Sequence, residues 1–139
     1  MAQTPTFDKS ASPRTAWLGW VYFAGIMMIT VGFFQAIAGL VALFDDGYYL
    51  VGQSGLVVSV DYTAWGFVHL ILGAVAFGAG FAVMTGKTWG RTVGIILAVA
   101  SAVVNMAFIA AYPLWATLII AMDVIIIYAL AVHGREAAE

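Results

Sequence analysis

The chain has 139 residues, of which 64% are hydrophobic and only 9% charged, with a net charge of −2 and no cysteine. Soluble domains carry about 25% charged residues, so this composition excludes one and indicates a single small integral membrane domain. The lack of cysteine excludes disulfides, thiolate metal sites and cysteine nucleophiles, and so small a net charge gives no ground for a nucleic-acid partner.

Residues 1–14 hold Pro5, Pro13 and scattered Ser and Thr without apolar periodicity, and are expected to form a disordered cytoplasmic tail. A four-span domain over residues 15–134 follows. Its first apolar segment, Trp17 to Phe44, exceeds the roughly 20 residues that cross a hydrocarbon core about 30 Å thick. A secretory signal would need an h-region of only about 7–15 residues. The apolar run from Ala16 to Phe34 is longer, which favours a retained span although Ala36-Ile37-Ala38 resembles a cleavage site. Gly25, Gly32 and Gly39 recur every seven residues, with Met28 and Gln35 at the intermediate steps. That period marks the seam of a left-handed bundle, where small residues let backbones approach and Gln35 points inward.

Residues 45–63 form the one substantial loop. Tyr48 to Val51 and Leu56 to Val60, rich in β-branched and aromatic residues, flank Gly52-Gln53-Ser54-Gly55 and predict a short β-hairpin on the outer end of the bundle.

The second span, Ala64 to Thr85, repeats the first seam in Gly66, Gly73 and Gly80, with His69 on the same face. Gly86 is placed to terminate it and Thr88 to cap the next helix. In the third span, Gly90 to Ala111, the residues Gly94, Ala98, Ser101 and Asn105 share one helical face. Tyr112-Pro113 breaks the chain, with Pro113 suited to the first turn of the last span, Leu114 to Val132. That span is apolar apart from Asp123 at its middle. A carboxyl at this depth costs at least ~2.5–3.5 kcal/mol and should face protein or a wet cavity, with a partner. Residues 135–139 complete the chain as a second cytoplasmic tail.

All five basic residues, Lys9, Arg14, Lys87, Arg91 and Arg135, fall on one side of these spans, and Asp45, Asp46 and Asp61 on the other. The Lys/Arg excess of cytoplasmic loops then predicts a multi-pass protein of the cell membrane with both termini cytoplasmic. Trp17, Trp20 and Trp89 would mark the inner interface, and Tyr62, Trp65, Tyr112 and Trp115 the outer.

Each span thus carries one strongly polar residue on its inward stripe: Gln35, His69, Asn105 and Asp123. Counting ~1.5 Å per residue puts them about 7–14 Å below the outer helix ends, as one polar layer. Two readings stay open. The layer is structural, fixing register and helix order, or it is a site for a proton, a cation or a small polar ligand. A haem held by His69 and His133 would need both at one level, whereas they lie near opposite ends. His69 with Asp123 offers two metal ligands against the three or four of usual zinc sites. Met27, Met28, Met84, Met106 and Met122 suit adaptable packing better than soft-metal handling. No phosphate loop, nucleophile elbow or HExxH motif occurs, so no cofactor, metal or catalytic residue is assigned.

Four stretches carry a resemblance: Gly19 to Gly25, Asp61 to Leu70, Gly86 to Arg91 and Tyr112 to Trp115. They are similar to those of an uncharacterised family of four-span membrane proteins common in actinobacteria. Trp65 to Leu70 with the Tyr-Pro-x-Trp element is the specific part. The resemblance implies a membrane location and a four-helix fold, and brings no activity. Gly90 stands where similar sequences carry alanine, a departure that disturbs nothing in this reading.

The expectation is therefore an all-α, up-down-up-down transmembrane bundle in a lipid bilayer. It would act as a structural or accessory protein, self-associating through its glycine faces or pairing with another membrane protein, or as a small-ligand or ion-handling one.

Overall fold

The computed structural model describes residues 14–44 and 61–139. These form four helices of alternating direction: α1 (Trp17–Phe44), α2 (Tyr62–Met84), α3 (Thr88–Phe108) and α4 (Pro113–His133). A 3-10 helix, Gly134–Ala138, follows. All four α-helices are long and apolar enough to cross a membrane. The hairpin expected within residues 48–60 lies outside the described residues, and no strand occurs among those described.

The sequence pattern locates the helices to within a few residues, and the differences lie at their ends. Tyr62 and Thr63 belong to α2 because Asp61 caps it: its Oδ1 accepts hydrogen bonds from the amides of Thr63 at 2.9 Å and Ala64 at 3.4 Å. Gly86 does terminate α2, in the left-handed region at φ 72°. The amides of Gly86 and Lys87 return to the carbonyls of Val83 and Ala82 at 3.0 and 2.8 Å, the paired bonds of a Schellman motif. Thr88 is not the cap of α3. That position falls to Lys87, which makes no side-chain capping bond, and Thr88 is already helical. Pro113 opens α4, where its missing amide proton costs nothing.

Consecutive helices are neighbours, and α1 closes the ring against α4. The closest pair is α1 with α2, because the two glycine seams meet each other in antiparallel register: Gly25 against Gly80, Gly32 against Gly73, Gly39 against Gly66. A methyl group built on Gly32 would lie 2.5 Å from the Phe77 amide nitrogen and 2.7 Å from the Gly73 carbonyl oxygen. Only hydrogen fits there. The seams therefore serve contact within the chain. Gly90 plays a similar part between α3 and α2: a methyl group on it would lie 2.7 Å from the Ala79 carbonyl oxygen and 2.8 Å from the Val83 amide nitrogen.

The interior is made of small residues. Ala24, Ala79, Ala82, Ala116 and Ala129 are buried, and the fully buried larger side chains are Val21, Val83 and Leu130. Large apolar side chains such as Ile26, Phe34, Phe67, Ile71 and Val103 point outward. An apolar exterior around a core of small residues is the arrangement expected of helices packed in lipid, where close approach replaces the hydrophobic effect as the driving force.

Candidate functional site

Asp123 sits ten residues from each end of α4, about 15 Å from either. It is 7% exposed, and its Oδ2 atom is the one buried side-chain oxygen or nitrogen without a hydrogen-bond partner among the described residues. Its polar neighbour is Ser101 of α3. Both line a cleft of about 470 Å³ between α1, α3 and α4, floored by Ala24, Gly94 and Ala98 and touched by Ala76 of α2. The small floor residues create the space, because facing positions that carry no bulk leave a hollow where α1 and α4 pack least tightly. Exposed Met27 and Val31 on one side, and Trp115 and Leu118 on the other, form a rim that opens sideways between α1 and α4. A buried polar group without a partner costs about 1–3 kcal/mol. The fold carries that cost at one carboxyl in an otherwise apolar hollow.

The four residues expected to form one polar layer are not joined. The amide of Asn105 donates to the Ser101 carbonyl at 2.9 Å, one turn back on its own helix. The Nδ1 atom of His69 lies 2.9 Å from the Trp65 carbonyl, also one turn back, and its ring stacks on Trp65 at 3.9 Å. Gln35 is half-buried on α1, between the glycine contacts that match Gly32 with Gly73 and Gly39 with Leu70. Asn105 lies one turn from Ser101 along α3. Ser101 was visible in the sequence as a member of the Gly94–Asn105 face. Spacing alone did not show that it, rather than Asn105, meets the carboxyl.

A second polar cluster lies at the end of the bundle carrying both chain ends. In the tail of residues 135–139, residues 135–138 belong to the 3-10 helix, which buries Glu136 against the start of α1. The Thr15 amide donates to Oε2 at 2.8 Å, and the Thr15 hydroxyl bridges both oxygens at 2.8 and 3.0 Å. His133 Nδ1 lies 2.6 Å from Oε1, and its ring stacks on Trp17 at 5.5 Å. Past the end of α4 these contacts hold the Glu136 carboxyl below the ordinary glutamate value, the Thr15 amide contributing most and His133 less, with partial burial opposing them. Arg91 donates from Nε to the Leu130 carbonyl at 3.1 Å and lies across Gly134, where any side chain would collide with it. This cluster ties the start of α1, the start of α3 and the end of α4 together. His133 is thus committed far from His69, and no group of three or more metal-ligating side chains occurs among the described residues.

A family described as Domain of unknown function (DUF7144) matches residues 20–135, which takes in nearly all of the bundle. No curated protein and no solved structure matches the chain.

Proposed function

Because the chain belongs to the DUF7144 family, whose function is unknown, we propose its role from geometry: a non-enzymatic, multi-pass membrane protein that holds a small amphipathic molecule in the cleft around Asp123. The observation that carries this reading is the unpartnered Oδ2 in a cleft of about 470 Å³. Ligand sites are typically hollows of about 300–1,000 Å³, mostly apolar, with a few polar groups that fix orientation. The cleft matches that description. Its sideways mouth would admit a molecule already dissolved in the bilayer. In the proposed placement the bundle lies in the cell membrane with both chain ends in the cytoplasm.

Of the four polar residues, the proposal keeps Asp123 as the binding group and adds Ser101. For His69 and Asn105 the bonds to their own helices favour a structural role, since each already has a partner. Gln35, one turn beyond Val31 on the cleft-facing side of α1, is proposed to border the site.

The test is native mass spectrometry of the protein released from lipid nanodiscs, comparing the wild type with Asp123→Leu. The expected result is a small molecule retained by the wild type and lost from the variant, with both folded. If neither carries one, and added amphiphiles shift the melting of neither, the binding role is wrong and Asp123 serves packing alone.

A further inference from the structure

Resting on the binding role of the cleft, we infer that its ligand is a lipophilic organic cation, an alkylammonium whose N–H group donates to Asp123 and whose chain lies along the α1–α4 groove. Three observations lead there. The first is charge. Among the described residues Asp123 is the only titratable side chain lining the cleft, whose other walls come from α1, α2 and α3 without a basic residue. The described arginines and lysine all belong to the end carrying the chain ends, and Arg91 is engaged with the Leu130 carbonyl. The carboxyl thus has no internal counter-ion, and a ligand bearing one positive charge supplies it, whereas an anionic amphiphile would be repelled.

The second is hydrogen bonding. The unpartnered oxygen is an acceptor, and among the described residues Ser101 is the only hydroxyl in the lining. A protonated amine donates to the first and can donate to the second. The ring of Phe23 and the thioethers of Met27 and Met122 provide polarisable walls around the charge.

The third is shape. A shallower hollow of about 340 Å³, lined by Ala16, Gly19 and Trp20, shares Phe23 and Met122 with the main cleft. Sharing those two side chains, the hollows lie end to end along α1. Together their linings run from Ala16, just before α1, to Val31, about 22 Å along the helix. Two hollows in line over that length, with the polar group in one of them, suit a single alkyl chain with a small head better than a compact ring system.

The experiment measures binding of three probes of equal chain length to the whole protein in zwitterionic nanodiscs: dodecylamine, dodecanol and dodecanoate. The expected result is saturable binding of the amine at least tenfold tighter than the alcohol, with no binding of the carboxylate. Asp123→Asn should bring amine and alcohol to within about twofold of each other. A photoreactive diazirine analogue of the amine should label Met27 or Met122 in the wild type, which locates the site even if the variant fails to fold. Equal affinity for amine and alcohol, or labelling confined to the outer surfaces of α2 and α3, overturns the cation assignment while leaving an amphiphile site in place. Failure of all three probes to bind overturns the assignment and the binding role together.

Discussion

At the scale of single residues, two buried acids behave in opposite ways. Glu136 is surrounded by donors and Asp123 is not, so one stabilises the fold as an ionised group and the other costs it stability. Replacing an unsatisfied buried polar group by an apolar one of similar size is neutral or stabilising. Asp123→Leu is therefore expected to raise unfolding stability by about 1–3 kcal/mol while abolishing ligand retention, as measured by thermal melting and native mass spectrometry on the same samples. A variant less stable than wild type would mean that the carboxyl is satisfied within the bundle. For Glu136 the folded value is depressed, so its contribution is present above the ordinary 4.5 and lost as pH falls through the folded value. The stability advantage of wild type over Glu136→Gln should accordingly be present at pH 7 and vanish at pH values well below 4.5; an advantage unchanged in acid would rule out the ionic contribution. The sequence marked Asp123 because one charge in an apolar span is conspicuous. It could not separate Asp123 from His69 and Asn105, because a helix offers any donor side chain a carbonyl one turn back.

Between helices, the periodicity of glycine carried more information than the polar residues did. Gly25, Gly32 and Gly39 with Gly66, Gly73 and Gly80 announced two close-packed faces, and equal spacing on antiparallel helices allows all three pairs to meet at once. What spacing could not say is that the two seams would meet each other within the chain. Gly90 was illegible for a related reason: nothing repeats around it, and its importance comes from the backbone of α2 lying against it. Gly32→Ala and Gly90→Ala are each expected to destabilise the bundle by about 1–3 kcal/mol, since backbone rather than a flexible side chain must move. Gly78→Ala is the control. Its methyl would meet only the Trp89 ring, at 3.7 Å, and the gain in helix propensity should stabilise by about 0.5–1 kcal/mol. Equal melting temperatures for the three variants would contradict a seam closed to a single methyl group.

For the molecule as a whole, the spans were legible because a bilayer imposes length and apolarity on any helix that crosses it, and four segments of this chain meet both demands. The folding of residues 135–139 was not, because a short polar stretch after a span looks the same whether it is free or docked through Glu136. Orientation is the property on which the proposed placement depends. Arg14, Lys87, Arg91 and Arg135 all lie at one end, whereas Asp61 lies at the other, where it caps α2. A translocated basic loop is disfavoured, and these short connections fall within the range over which Lys and Arg set topology. Reporters fused after Glu139 or inserted at Lys87 should therefore read the cytoplasm, and one inserted between Gly52 and Gly55 the opposite side. The Lys87 position matters most, because it cannot be explained by a C-terminal fusion dragging the tail across the membrane. Substituting Arg14, Lys87, Arg91 and Arg135 together with glutamine should then yield a mixed population. An external readout at both Lys87 and Glu139 in the unsubstituted chain would invert the bundle while leaving its packing intact, and would place the Glu136 cluster on the outside.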